Sequence, residues 1–125
     1  IGVHMGDLSF KVYTDVKWVS FILRQIINNS VKYGGENIEF FAVPREGGVS
    51  LMVRDDGIGI PEADLKRVFE KSFTGENGRL YGRSTGLGLY LCRKLCTKLG
   101  LSISASSRSG EGVTAEIVFP KRAWD

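Results

Sequence analysis

Val49-Ser50-Leu51-Met52-Val53-Arg54-Asp55-Asp56-Gly57-Ile58-Gly59-Ile60 is the stretch on which the fold turns. Its first seven residues read as a strand, and that strand runs straight into an Asp-x-Gly-x-Gly pattern. An acidic side chain at a strand end can accept a hydrogen bond from an exocyclic amine. The two glycines let the backbone come close to a flat ligand with no Cβ in the way. Asp-Gly pairs also make simple turns, so the pattern alone leaves both readings open.

Upstream, Ile38–Val43 reads as the hairpin partner of this strand, joined through Pro44-Arg45-Glu46-Gly47-Gly48. From Asp15 to Tyr33 there is no Gly or Pro, and the apolar spacing predicts a long helix with Asp15 as N-cap and Gly34-Gly35 as its stop. Leu8, Phe10 and Val12 alternate with polar residues and predict a first strand ending at Thr14-Asp15. Downstream, Pro61 opens a short helix reaching to about Lys71. Thr74 to Thr85 is rich in glycine and polar residues and reads as a mobile loop. A helix from Gly86 to Leu99, closed by Gly100, precedes strands at Leu101–Ser106 and Val113–Phe119. The order β-α-β-β-α-loop-α-β-β predicts an α/β (α+β) domain of two layers, a mixed sheet of about five strands covered by three helices. One domain, residues 1–125, accounts for the whole chain.

The formal net charge of +3 suits an anionic small ligand, but the dense basic stripe of a nucleic-acid binder is missing, so no nucleic acid is expected as partner. Cys92 and Cys96 share a helix face and, with no second ligand pair, read as reduced core thiols rather than a zinc site. No apolar run reaches the roughly 18 residues of a membrane span, and no signal-peptide pattern is present. The piece is therefore expected to be soluble. It opens at Ile1 without an initiator Met and is expected to be the cytoplasmic end of something longer.

Two further features carry chemistry. On the first long helix, Val19, Ile22, Leu23, Ile26 and Ile27 share an apolar face, and Lys17, Ser20, Arg24 and Asn28 share a polar one. Gln25, Asn29 and Lys32 form a narrow polar stripe at the border of the core. Such a stripe can be plain amphipathic edge; it can also offer an Asn29 carbonyl oxygen to a hard cation and a Lys32 charge to phosphate. Tyr33, one turn past Asn29, is placed to cover an aromatic base. The second feature is Ser84-Thr85-Gly86-Leu87-Gly88-Leu89, where the glycine-rich loop meets a helix. Backbone N–H groups and the dipole at a helix N-terminus bind phosphate well. The pattern is neither a P-loop nor a Rossmann fingerprint.

Taken in order, the Asn-bearing helix, the Asp-x-Gly-x-Gly strand end, the Phe-x-x-x-Phe segment, the glycine-rich loop and the Gly-x-Gly helix start resemble the GHKL ATPase superfamily. Histidine kinases, type II topoisomerase ATPase subunits, Hsp90-type chaperones and MutL-type repair proteins belong to it. The resemblance implies a Bergerat-type ATP-binding domain with ATP and Mg²⁺ as cofactors. Gln25 to Tyr33 match its N box, which implies Asn29 as Mg²⁺ ligand, with Gln25 beside it, Lys32 on phosphate and Tyr33 beside adenine. Asp55, Gly57, Gly59 and Ile60 match the G1 box, with Asp55 accepting from the adenine amine. Phe69 and Phe73 resemble the F box that hinges the lid, where Arg79 and Arg83 are candidate phosphate contacts. Ser84, Thr85, Gly86, Leu87, Gly88 and Leu89 match the G2 box. Thr114, after Gly110-Glu111-Gly112-Val113, resembles the threonine that supports Asp55 near the base.

Hydrolysing members of this superfamily carry Glu at the position of Gln25, four residues before the Mg²⁺ Asn, as the base that activates water. The amide of Gln25 cannot take that proton, which favours a kinase. Lys17-Trp18, Phe21-Ile22-Leu23, Asn29-Ser30 and Phe73–Arg79 resemble a branch of sensor histidine kinases in the bacterial membrane that pair with peptide-antibiotic transporters. The implied function is donation of the ATP γ-phosphoryl to a histidine on a separate dimerisation domain. The implied partners are that domain, a response regulator and an ABC transporter. The isolated domain is expected to be monomeric and the full-length protein a homodimer. His4 is the only histidine and is expected to precede the first strand, so no phosphoacceptor or catalytic nucleophile is assigned within residues 1–125, and the fragment is not expected to autophosphorylate. A nucleotide-dependent regulatory module and a serine kinase of the anti-sigma type remain as alternatives.

Overall fold

The computed structural model describes residues 2–5, 15–32, 34–65, 67–70, 88–107 and 111–120, with the backbone alone at 2–5, 32 and 62. Helix α1 runs Val16–Lys32, and local chemistry sets both of its ends. Asp15 Oδ1 accepts from the N–H groups of Lys17 and Trp18 at 3.0 and 3.4 Å, satisfying two donors that a helix start leaves open. At the other end Gly34 takes φ 82°. Its N–H bonds to Val31 O at 3.1 Å and that of Gly35 to Ser30 O at 2.8 Å, the pair of bonds of a Schellman motif.

Strands β1 (Gly2–Met5), β2 (Asn37–Arg45) and β3 (Gly48–Asp55) are followed by α2 (Glu62–Leu65), α3 (Gly88–Leu99), β4 (Ser102–Ser107) and β5 (Val113–Pro120). The sheet order is β1-β2-β3-β5-β4. Among the described strands only β1 runs parallel to its neighbour, so the sheet is mixed, as expected. The β2–β3 turn is tighter than the sequence indicated. Arg45 pairs with Gly48, leaving Glu46 and Gly47 as the loop. Pro44 stays in the strand, beyond the part of β2 that pairs with β1, at an edge where proline is tolerated.

Two expectations are corrected. His4 lies within β1, in register with Glu39, rather than ahead of the first strand. The expected strand over Leu8–Val12 lies outside the described residues. The helix opened by Pro61 is also shorter than its expected reach to Lys71. Asp64 and Leu65 N–H groups bond to Pro61 O, but Arg67 and Glu70 then make i→i−3 bonds, so the chain passes into turns over 67–69.

Helix α3 ends as α1 does. Gly100 has φ 77°, its N–H bonds to Thr97 O at 3.2 Å, and Leu101 N–H bonds to Cys96 O at 2.8 Å. Leu101 and Cys96 are both in the core, where such a cap usually adds an apolar contact.

The helices cover one face of the sheet. Ile22 and Ile26 from α1 and Cys92 and Cys96 from α3 join Ile38, Val53, Ile103 and Ile117 from the strands in one cluster. The two cysteines are free and buried. The opposite face carries ion pairs, Arg54 with Glu39 and Arg45 with Glu116 at 2.9 Å, and Arg54 lies 5.1 Å from the ring centre of Phe41.

Candidate nucleotide site

The period-2 alternation of β3 turns Val53 and Asp55 toward the helices and Arg54 away. Asp55, only 8% exposed, therefore ends its strand inside the molecule. Three segments converge on its carboxylate. Ser30 Oγ donates to Oδ2 at 2.7 Å, and the N–H groups of Gly57 and Val113 donate to Oδ1 at 2.9 and 3.1 Å. Helix α1, the loop after β3 and the start of β5 are thus fixed to one side chain.

The glycines around it have distinct tasks. Gly112, at φ 83°, passes so close that a Cβ there would overlap the carbonyl oxygen of Asp55. Gly59, at φ 80°, takes a backbone conformation that side chains rarely adopt. It delivers Ile60 so that its N–H reaches Ser107 Oγ at 2.8 Å, while Ser107 donates to Gly112 O at 2.6 Å. The loop after β3 and the β4–β5 connection are fastened together by that serine.

The adjacent Asp56 does different work. It is exposed and accepts from Glu36 N, Asn37 N and Asn37 Nδ2 at 2.8, 2.9 and 2.8 Å. These bonds, led by the Asn37 side chain, pull its pKa down to about 2. Asp56 anchors the start of β2, and Asp55 faces the pocket.

That pocket lies between the sheet and the helices. Val53, Ala105 and Ala115 line its sheet side, and Ile60, Phe69 and Leu89 are among the other residues of its apolar wall. Ala105 and Ala115 are directly opposite one another in the β4–β5 register, so small side chains leave room there. Its polar groups are Asn29, Ser30 and Asp55. The combination of an apolar slot and a few convergent polar groups is that of a small-molecule site. The Arg93 guanidinium lies 4.4 Å from the ring centre of Phe69 and holds that wall to α3.

Asn29 is half-buried and lines the pocket; Gln25, one turn earlier on the same helix face, lies against the start of α3. A Cβ on Gly88 would be 2.7 Å from Gln25 Oε1. This donor set fits Mg²⁺. It supplies two neutral amide oxygens, from Asn29 and Gln25. Mg²⁺ is commonly held by one or two protein oxygens together with phosphate oxygens and water.

Of the residues expected from the sequence, Gln25, Asn29, Asp55, Gly57, Gly59, Ile60, Phe69, Gly88 and Leu89 gather around this pocket or its immediate supports. Lys32 forms the last position of α1. Tyr33, Phe73, Arg79, Arg83, Ser84, Thr85, Gly86 and Leu87 lie outside the described residues. Thr114 is a correction. It pairs with Arg54 and Ser106, so its side chain points to the sheet face opposite Asp55 and the pocket. Val113 takes the place beside Asp55 instead. Ser30, Val113 and Ser107 are site residues that the sequence did not single out. Ser30 had a signal: it continues the Ile22, Ile26 row of the apolar face, and a polar residue there has to find a partner.

A mixed sheet with helices on one face and a buried acid at the head of the pocket is the layout of a Bergerat-type ATPase domain. The sequence matches the family described as "Histidine kinase-, DNA gyrase B-, and HSP90-like ATPase" over residues 14–123, and the chain belongs to that family. Sensor histidine kinase YxdK of Bacillus subtilis is 40% identical over 112 residues, covering 87% of this chain and 34% of that protein. The nucleotide-free catalytic domain of histidine kinase ThkA superposes with a TM-score of 0.74 at 25% identity, covering 95% of this chain and 78% of that one. Full-length ShkA in complex with AMPPNP has the same fold, with a TM-score of 0.76 at 20% identity over 99% of this chain and 26% of that one. The chain spans about a third of the length of the curated relatives it matches, 34% in each case.

Proposed function

We propose that this domain binds Mg²⁺-ATP and donates the γ-phosphoryl to a histidine on a dimerisation domain of a two-component sensor kinase. The observation that carries this reading is the convergence of Ser30, Gly57 and Val113 on Asp55 beside a pocket that also holds Asn29. A carboxylate has about four acceptor sites, so one remains for the adenine amine after these three bonds. The apolar wall of Ile60, Phe69 and Leu89 suits the faces of a purine. AMPPNP in the similarly folded ShkA supports nucleotide as the ligand.

Asn29 and Gln25 would hold Mg²⁺ from the α1 side. When bound, the ion neutralises charge on the phosphates and orients them for transfer. Gly88, Leu89 and the preceding Ser84–Leu87 segment would meet the phosphates at the start of α3, with Lys32, Arg79 and Arg83 as cationic contacts. Tyr33 and Phe73 would complete the adenine side and the lid hinge. Gln25 offers no base to water, which favours transfer over hydrolysis. Catalysis here is positioning and charge stabilisation, with ADP as the other product.

The kinship with sensor histidine kinases supports a response regulator as downstream partner and a full-length homodimer that lies in the membrane with this domain on the cytoplasmic side. An associated ABC transporter rests on the sequence resemblance alone. The test is to titrate ATP with and without Mg²⁺, then add a fragment bearing the cognate phosphoacceptor helix and follow labelled phosphate. Tight Mg²⁺-ATP binding and labelled histidine are expected. Binding without transfer would favour a regulatory nucleotide module, and a labelled serine an anti-sigma type kinase.

A further inference from the structure

A wall of the pocket has to give way before a base can enter. The cavity between the side chains is about 30 Å³, room for a water molecule or two and not for a purine. Several of its walls are fixed. Val53, Ala105 and Ala115 belong to hydrogen-bonded strands, and Ile26 to the long helix α1. Phe69 is different. It stands in the turns after α2, where the N–H of Glu70 reaches Arg67 O at 2.9 Å and the side chains of Arg67 and Glu70 pair at 3.0 Å. No strand or long helix carries Phe69, so its ring is held by what its side chain touches.

One of those contacts comes from α3. Phe69 is partly buried against the core, and the Arg93 guanidinium lies over its ring, 4.4 Å from the centre, close enough for a cation–π contact. Arg93 is exposed, and no carboxylate pairs with it among the described residues. It follows Leu89 by one turn, and side chains four apart share a helix face. Helix α3 thus meets the pocket at two successive positions, directly at Leu89 and through Phe69 at Arg93. The same helix begins at Gly88, about 7.5 Å of axis before Arg93. Gly88 lies against Gln25 Oε1. One helix therefore joins the least anchored wall of the pocket to the end where the proposed function puts the phosphates and the cation.

We infer that Arg93 is a positioning residue for the nucleotide. By tying Phe69 to α3, it makes the wall that admits the base and the helix start that receives the phosphates move together. Base and phosphates then strengthen each other's binding. This rests on the reading of the pocket as an adenine nucleotide site.

The experiment compares Mg²⁺-ATP, titrated by calorimetry, with adenosine, measured by competition against a fluorescent ATP analogue. It uses the unmodified chain, Arg93→Met, Arg93→Lys, Phe69→Leu and the Arg93→Met/Phe69→Leu double variant, with a thermal melt of each. Arg93→Met is expected to weaken ATP two- to fivefold, the size of an exposed cation–π contact, and adenosine by less than twofold. Arg93→Lys, which keeps a cation for the ring, should restore most of the ATP affinity. In the Phe69→Leu background, Arg93→Met should cost nothing further, because the contact it removes is already gone. Equal losses for ATP and adenosine would reduce Arg93 to a packing role and overturn the inference. An undiminished ATP loss in the Phe69→Leu background would overturn it too, since Arg93 would then act on the phosphates without the ring. If Phe69→Leu binds too weakly to titrate, ionic strength makes the same distinction. An ATP loss in Arg93→Met that persists in high salt supports the link through Phe69, and one that vanishes marks a direct charge on phosphate and overturns it. Failure of ATP to bind the unmodified chain overturns the adenine-site reading itself, before any variant is considered.

Discussion

The side-chain oxygen of Gln25 lies 2.7 Å from where a Cβ on Gly88 would stand. One residue on α1 and one at the start of α3 thus share a space with no room for a further methyl group. The obstacle is the end of a flexible side chain, so Gly88→Ala should fold and push the Gln25 amide aside. The expected result is a loss of roughly tenfold in ATP affinity in the presence of Mg²⁺, as for disturbed metal-supporting groups, with a smaller loss in its absence. Titrations in Mg²⁺ and in chelator make the comparison; equal losses would separate Gln25 from the cation.

Gly112→Ala provides the contrast. Here the added Cβ meets the backbone carbonyl of Asp55, which cannot swing away, and φ is 83°. Left-handed backbone costs a non-glycine residue about 1–2 kcal/mol before the clash is counted. A destabilisation above that range is expected in urea unfolding, together with weaker nucleotide binding because the end of β3 must shift. A midpoint equal to that of the unmodified chain would show that the β4–β5 connection yields easily.

Asp55→Asn tests the acceptor at the head of the pocket. An amide would turn an N–H₂ group toward donors on one side or the other, either the Gly57 and Val113 N–H groups or Ser30 Oγ. Losing one such buried bond costs about 1–3 kcal/mol of stability. ATP affinity is expected to fall further than stability alone explains, as read by calorimetry on the folded variant. Unchanged affinity would remove Asp55 from base recognition.

What could be read from the sequence divides along the range of the forces involved. Asp15, Gly34-Gly35 and Gly100 act within a few residues of themselves, and each closes a helix where local chemistry places it. The alternation in β3 and β5 is equally local, and it located Asp55. Strand β1 escaped because Gly2–Met5 is only four residues long and its partner, β2, lies far downstream. Thr114 was misplaced by one residue, and in a strand one residue is a change of face. In the sequence Ser30 stood out only as half of the Asn29-Ser30 pair. Only the docking of α1 on the sheet showed that its hydroxyl is buried and has a carboxylate to meet. The G2 and lid residues from Ser84 to Leu87 rest on the sequence alone.

Burial pushes the Cys92 thiol up to about 12 and that of Cys96 to about 11, from 9.0. Folded-state values above the unfolded one mean that this contribution to stability is complete below pH 9. It declines as pH rises toward 11–12, because the unfolded chain releases its protons first. Urea midpoints should therefore fall above pH 9, and less steeply in Cys92→Ala. A thiol reagent at pH 8 should label the chain only when urea unfolds it. Rapid labelling of the native protein would contradict the burial of α3 against α1.

Asp55 gathers its bonds from Ser30, 25 positions away, and from Val113, 58 positions away. No fragment of an unfolded chain carries part of this pocket, since its walls meet only when α1, β3 and β5 are all in place. A ligand of the pocket therefore binds the native state alone and adds RT ln(1 + [L]/Kd) to stability, about 2.7 kcal/mol at a hundredfold excess over Kd. The domain is thereby thermodynamically coupled to its own nucleotide supply. Starved of ligand it should melt earlier and yield sooner to proteases, and a rising nucleotide concentration should protect it in proportion to the logarithm of that concentration.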